Sequence, residues 1–306
     1  MEGAIFAVAS IVATARELIA DATRRLEPFS QSPRLDVELL LAEVLQVSRT
    51  KLIVELRSVV SESARAHFES LLSRRMRHEP VAYILGRKEC FGFDFMVSPS
   101  VLIPRPETEC LVEDALSWSS ARARPVRVLD LGTGSGCLAV TLANSLAARG
   151  RLEGRVVAID LSEDALLVAK KNALQLGAER LVEFRQGSWF SAIHDRDLPF
   201  DLVVSNPPYI AEADTHRSPE TEWEPKMALL SGEDGLRDIR QILAGVSRIV
   251  RAPALLLVEV GASHRLPVEA LCRTCLDGST GSIDISWIPD LAGYDRILRV
   301  EFCPSK

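Results

Sequence analysis

Pro125-Val126-Arg127-Val128-Leu129-Asp130-Leu131 runs directly into Gly132-Thr133-Gly134-Ser135-Gly136, and an alanine- and leucine-rich stretch follows from Cys137 to about Ala148. The first run has the length and composition of a strand buried on both faces, and the last stretch reads as a helix. Glycines between them let the backbone turn tightly and approach a ligand closely. Strand, glycine turn and helix in this order form the nucleotide-binding half of a doubly wound α/β fold. A second strand, Arg155-Val156-Val157-Ala158-Ile159, ends at Asp160, 24 residues beyond Gly136. An acid at about that distance meets ribose hydroxyls in such units. It can equally cap the helix that comes next, a task open to Ser162 and Glu163 as well. The glycine turn alone does not choose between nucleotide cofactors.

A third apolar run, Phe200-Asp201-Leu202-Val203-Val204-Ser205, leads into Asn206-Pro207-Pro208-Tyr209. Neither proline donates a backbone N–H, so the strand stops and the chain stiffens just beyond its carboxyl end. Open α/β sheets place their ligands there. The Asn206 side-chain carbonyl and the Pro207 main-chain carbonyl then offer two acceptors beside the flat ring of Tyr209. That set suits a planar NH₂ donor, either a carboxamide or the exocyclic amine of a base. By itself the tetrapeptide also fits an ordinary proline-rich turn.

Asp130 to Gly136, Asp160 and Asn206-Pro207-Pro208-Tyr209 together resemble the S-adenosylmethionine-dependent amino-methyltransferases, which act on nucleic-acid adenine and guanine or on protein glutamine. Three further segments narrow the likeness: Glu79-Pro80-Val81-Ala82-Tyr83-Ile84-Leu85-Gly86, Phe91-Gly92-Phe93-Asp94-Phe95, and Val101-Leu102-Ile103-Pro104-Arg105-Pro106-Glu107-Thr108-Glu109. They resemble the bacterial and organellar release factor glutamine methyltransferases, the PrmC/HemK family. The likeness runs from about residue 30 to the C-terminus and includes Glu224-Pro225, Gly232, Asp234-Gly235-Leu236 and Asp290-Leu291-Ala292-Gly293-Tyr294-Asp295-Arg296.

The resemblance implies a seven-stranded Rossmann-like methyltransferase fold of the α/β class with a small N-terminal helical bundle and a β-hairpin linker. It implies transfer of a methyl group to the glutamine amide in the Gly-Gly-Gln motif of peptide chain release factors. Asn206, Pro207 and Tyr209 would be catalytic, and Pro208 would join them in binding the substrate. Gly132, Thr133, Gly134, Ser135 and Gly136 would pass beneath the methionine part of S-adenosylmethionine, Asp160 would accept from its ribose, Trp189 would flank its adenine, and Asn206 would also border it. Ser188 and His264 depart from the family pattern, which usually has Asp and Gln there. The acid's polar contact is therefore not expected at Ser188, and His264 reads as a tolerated polar exchange. Two other classes share the residues: a nucleic-acid amino-methyltransferase acting on a flipped base, and a non-catalytic nucleotide-binding interaction protein whose acceptor site is idle.

Composition weighs on these alternatives. The 306 residues have room for two domains, with 47% hydrophobic and 25% charged residues. A net charge of −6 argues against a surface that grips long nucleic acid by phosphate neutralisation, so no nucleic-acid substrate is expected. The densest basic patch, Arg74-Arg75-Met76-Arg77-His78 with Arg87-Lys88, reads as a solvated helix end. Gly3 to Ala15 has the apolar content of a signal-peptide core, and Ala13-Thr14-Ala15 imitates a cleavage site. However, Glu2 replaces the basic leader, and Ile5, Val8, Val12, Ala15, Ile19, Ala22 and Leu26 fall at helical spacing. One amphipathic helix, no membrane span and a cytoplasmic monomer are expected. The six cysteines show no two-pair metal spacing, and Cys272-Arg273-Thr274-Cys275 is a lone pair, so no metal is expected.

Residues 1–86 read as a helical substrate-docking domain, 87–105 as a hairpin linker and 106–306 as the methyltransferase domain. Ser32-Pro33 opens a helix with the stripe Leu35, Leu39, Ala42 and Leu45 or Val47. Another opens at Ser61 and carries Ala64, Phe68, Leu71, Leu72 and Met76. Alternation through Phe91, Phe93, Phe95 and Val97 predicts the hairpin, which Pro104 and Pro106 end. Ile283–Ile288 and Ile297–Phe302 predict a closing antiparallel hairpin. Asp160→Ala is expected to weaken S-adenosylmethionine binding; unchanged calorimetric affinity removes Asp160 from the cofactor site.

Overall fold

The computed structural model describes residues 13–215, 217–276 and 282–304. The chain divides between Gly86 and Arg87 into two compact units.

In the first unit, α1 (Ala15–Leu26) opens with a capping box. The Thr14 hydroxyl accepts from the Glu17 N–H, and the Glu17 carboxylate accepts from the Thr14 N–H. Thr14 is extended, so α1 begins at Ala15. Ile5, Val8 and Val12 lie outside the described residues. Four further α-helices follow among the described residues of the unit: α2 (Pro33–Val44), α3 (Arg49–Val54), α4 (Glu62–Arg75) and α5 (Val81–Leu85). Helix α4 starts at the expected Ser61 cap and buries Phe68, Leu71 and Leu72.

Helix α2 departs from the expected stripe. It buries Val37, Leu40 and Leu41 along with Ala42, whereas Leu35 is exposed. Two carboxylates turn the helix: Asp36 is buried against Arg75 at 2.7 Å, and buried Glu38 accepts from Arg34 and Arg49, each at 2.8 Å. The same pairing corrects the solvated basic helix end. Arg75 is only 3% exposed, and Arg74 donates to Glu79 at 2.8 Å. A buried charge persists only with a partner, and these partners are remote in sequence or masked by an apolar pattern.

The second unit begins with a hairpin, β1 (Arg87–Cys90) and β2 (Phe93–Met96), turned at Phe91 and Gly92 with φ of +50° and +78°. A two-residue turn with both φ positive matches the twist of the strands. The strand ends at Met96, before the prolines. Helix α6 (Glu107–Ser120) then leads into the sheet: β3 (Val128–Leu131), α7 (Cys137–Ala148), β4 (Val156–Asp160), α8 (Glu163–Gln175), β5 (Val182–Gln186) and β6 (Phe200–Ser205). Short α9 (Lys226–Leu229), α10 (Arg237–Val246), β7 (Val250–Glu259), α11 (Arg265–Cys275), β8 (Ser282–Pro289) and β9 (Asp295–Cys303) complete it.

The seven strands order as β5-β4-β3-β6-β7-β9-β8, parallel except for β9, which runs antiparallel to both its neighbours. Two apolar layers sandwich the sheet, one under α6 and α7 and one under α10 and α11. Register sets the level at which the central strands end. Leu131 pairs with Ile159 on one side and Ser205 on the other, and Ser205 pairs with Val258. The next residues, Asp160, Gly132, Asn206 and Glu259, therefore leave neighbouring strands in one row, about 4.8 Å apart per strand. Ser205 Oγ donates to the Leu131 carbonyl at 2.7 Å and fastens the middle of that row.

Gly245 in α10 has the Phe190 ring where a Cβ would stand. Gly245→Ala gains about 1 kcal/mol of helix propensity but drives a methyl into that ring, costing about 1–3 kcal/mol. A net loss in urea unfolding is expected; a stabilised variant means Phe190 swings clear.

Candidate active site

A cavity of about 560 Å³ opens over the carboxyl ends of β3, β4 and β6, all within the second unit. Its wall includes Gly132, Thr133, Gly134, Ser135, Asp160, Ser188, Trp189, Asn206 and Pro208. Gly136, Pro207 and Tyr209 are not part of that wall.

The glycine turn is shaped for close approach. Gly132, Gly134 and Gly136 have φ of +75°, +55° and +80°, values that side chains disfavour. A Cβ on Gly132 would lie 3.6 Å from Trp189 Cζ3, so the indole stands against this turn. Gly136 serves packing: a Cβ there would be 3.1 Å from the Cβ of Ala169 in α8. Asp160 Oδ2 accepts from the Gly134 N–H and Oδ1 from the Ser162 N–H, each at 2.8 Å. Ser162 itself caps α8 by accepting from the Ala165 N–H. Asp160 thus braces the turn as well as lining the cavity, and burial raises its pKa. A glycine turn that admits close approach, a bracing carboxylate and an indole face make a wall that fits an adenosyl group with an amino-acid tail.

Beneath the turn, Asp130 is fully buried. Its Oδ2 accepts from the Thr133 hydroxyl at 2.6 Å, and its Oδ1 has no hydrogen-bond partner among the described residues. Burial raises its pKa to about 7, against the opposing pull of the Thr133 bond.

At the end of β6, Asn206 Nδ2 donates to Thr108 Oγ1 at 3.4 Å, and Thr108 Oγ1 donates to Glu259 Oε2 at 2.8 Å. Asn206 Oδ1 is buried in the cavity wall with no partner among the described residues. A buried acceptor left uncompensated costs about 1–3 kcal/mol. The Tyr209 hydroxyl donates to Glu259 Oε1 at 3.3 Å. The His264 ring packs edge-on against Tyr209 at 6.5 Å between centroids. Burial lowers the His264 pKa. Ser188 is exposed, and its N–H donates to Ser191 Oγ at 2.8 Å.

Sequence reasoning assigned no role to Thr108, Glu224 or Glu259. Buried Glu224 accepts from the Ile103 N–H at 3.1 Å and from the Arg105 guanidinium. It pins a segment whose Val101, Leu102 and Pro104 line the cavity. A detectable signal was present for Glu259: an acid closes an apolar strand there, the same pattern that singled out Asp160.

Fold and site define a methyltransferase, and the family model for a methyltransferase domain matches residues 124–276. The model for the PrmC N-terminal domain matches residues 17–86. The chain is 40% identical to the release factor glutamine methyltransferase of Nitratidesulfovibrio vulgaris over 94% of each chain. It is 41% identical to that of Burkholderia pseudomallei over 93% of this chain and 94% of the other. The chain therefore belongs to the release factor glutamine methyltransferase family. Among solved structures, the catalytic domain of hMettl16 in complex with the MAT2A 3′UTR hairpin 6 superposes with a TM-score of 0.52 at 16% identity, over 76% of this chain and 82% of that one, a likeness of fold.

Asp130 supplies a pH signature. A folded pKa of about 7, against 3.8 for a free Asp side chain, means that its contribution to stability is complete below the lower value and lost as pH rises through the upper. Between about pH 6 and pH 8 the ligand-free protein is expected to lose thermal stability, and Asp130→Asn to lose less. Parallel slopes for the two proteins would show that Asp130 does not titrate in that window.

Proposed function

We propose that this protein transfers the methyl group of S-adenosylmethionine to the side-chain amide nitrogen of the glutamine in the Gly-Gly-Gln motif of peptide chain release factors. The observation that carries the proposal is the unpaired, buried Oδ1 of Asn206 in the wall of a cavity floored by the glycine turn. Family membership supports the same substrate. It favours neither the nucleic-acid amino-methyltransferase nor the idle nucleotide-binding protein.

When bound, S-adenosylmethionine supplies an electrophilic methyl on a sulfonium, which leaves as a neutral thioether. Gly132 to Ser135, Asp160 and Trp189 would hold it, and Asn206 would border both it and the substrate. The amide nitrogen is a poor nucleophile because its lone pair is delocalised into the carbonyl. Asn206 Oδ1 and the Pro207 carbonyl would each accept one of its two N–H bonds. They would push electron density onto nitrogen and orient its lone pair, acting by electrostatics and alignment. No general base is assigned: the nitrogen becomes cationic as it gains the methyl and then releases a proton to solvent. Pro208 would help to shape the amide's slot. Tyr209 would pack against the planar amide, and its bond to Glu259 would hold this segment. No described helix is long and apolar enough to cross a membrane. The same reading takes residues 1–86 as the docking domain, 87–105 as the hairpin linker and 106–306 as the catalytic domain of a cytoplasmic monomer.

The test is methyl transfer from radiolabelled S-adenosylmethionine to a purified release factor and to its Gln→Ala variant in the Gly-Gly-Gln motif. Label on the parent alone is expected; label on added DNA or RNA instead would move the enzyme to the base-modifying class. Asn206→Ala should lower turnover by about 100-fold with cofactor affinity nearly intact. If affinity collapses while turnover at saturation survives, Asn206 is a cofactor ligand and not the amide acceptor.

A further inference from the structure

An asparagine amide can face a site with either its oxygen or its NH₂, and the two ends have nearly the same shape. Only the oxygen accepts from a substrate amide. What sets the choice here runs from Thr108, which lines the cavity beside Asn206, to Glu259. Glu259, the last residue of β7, is fully buried, and its two carboxylate oxygens accept from Thr108 Oγ1 at 2.8 Å and Tyr209 Oη at 3.3 Å. A threonine hydroxyl has one proton. Once that proton points at Glu259, Thr108 presents only lone pairs to Asn206. Asn206 must then turn its NH₂ to Thr108, as observed at 3.4 Å, and its Oδ1 is left without a partner among the described residues. The opposite orientation would set two oxygens together with no proton between them.

We infer that Glu259, acting through Thr108, is a positioning residue that fixes the Asn206 amide with its oxygen toward the substrate. This rests on the reading of Asn206 as the amide acceptor. The relay needs Glu259 as a carboxylate, because a protonated acid could donate to Thr108 and free the hydroxyl proton for Asn206. Burial raises the Glu259 pKa, with Glu107 adding to the rise. The Arg296 guanidinium and the bonds from Thr108 and Tyr209 oppose it. Arg105 also faces this carboxylate. Arg296 lies 5.7 Å from the centroid of the Tyr209 ring, so the cation that favours the carboxylate also stacks on the motif it orients. The row of strand ends explains the arrangement: Glu259 and Asn206 leave adjacent strands one residue beyond the Val258–Ser205 pair, with Thr108, in the first turn of α6, between them.

Thr108→Val keeps the side-chain shape and removes the hydroxyl, and Thr108→Ser keeps the hydroxyl. The Val variant is expected to lose about 10- to 100-fold in kcat on a release factor. Its affinity for S-adenosylhomocysteine should stay within about twofold of the parent, and the Ser variant should recover kcat to within about threefold. Glu259→Gln should lower kcat in the parent and have little further effect beside Thr108→Val, because the two residues act as one unit. Equal losses in the Val and Ser variants, or full activity in the Val variant, overturn the relay. A second readout needs no substrate. The side-chain amide NMR signals of Asn206, identified by their disappearance in Asn206→Ala, should shift in the Val variant and stay in place in the Ser variant. Signals unmoved in both overturn the relay and leave the proposed function standing. A parent enzyme that moves no label onto release factor overturns the proposed function instead.

Discussion

The register of four adjacent parallel strands is the constraint on which the rest of the second unit depends. Ile159, Leu131, Ser205 and Val258 pair across β4, β3, β6 and β7, and the ladder ties them to a common level. A parallel sheet delivers the next residue of each strand at the same end, so Asp160, Gly132, Asn206 and Glu259 become neighbours without any contact in sequence. Their chemistry differs because each chain departs differently. Gly132 turns with a positive φ, Asp160 folds back to accept backbone N–H groups, and Asn206 is followed by two prolines that cannot extend the ladder. Slipping one strand by one residue would exchange the inward and outward faces of its side chains and take its terminal residue out of the row.

Buried carboxyl groups support this arrangement at several points, each with at least one hydrogen-bond partner. Glu224 holds the Ile103–Arg105 segment, Glu259 holds Thr108 and Tyr209, and Asp130 sits beneath the glycine turn with one oxygen engaged. Each carboxylate loses hydration on burial, which costs several kcal/mol before its bonds are counted. A hydrophobic residue would fill the same space at lower cost but could not dictate which end of an amide or hydroxyl faces the cavity. Directional polarity is what these acids add.

The helical unit shows where pattern reading gives way to packing. Leu35 and Leu39 look like the buried stripe of α2, yet the buried face is turned toward Val37, Leu40 and Leu41. Asp36 and Glu38 go inside because Arg75, Arg34 and Arg49 meet them there. Periodicity counts apolar residues and is blind to an ion pair formed across 39 positions. The basic run at Arg74 and Arg75 misleads for the same reason: its charges are neutralised inside the unit. Thr14 illustrates a second limit, since a capping box can start a helix in the middle of an otherwise continuous amphipathic pattern.

The sequence by itself determined the local elements of the catalytic unit and the chemistry at their ends. The β3 turn, the start of α7, the limits of β6 and the antiparallel closing hairpin were legible because glycine, proline and strand-length apolar runs constrain the backbone locally. Asn206 and Asp160 were legible because they stand just past such runs. Only the tertiary structure decided which residues stand behind them. Thr108 and Glu259 are separated by 151 positions, and Thr108 and Asn206 by 98. Their hydrogen bonds exist only because sheet register and the placement of α6 bring the three side chains within reach. The acid that closes β7 marks Glu259 locally, but nothing in either local pattern names the partner across the fold.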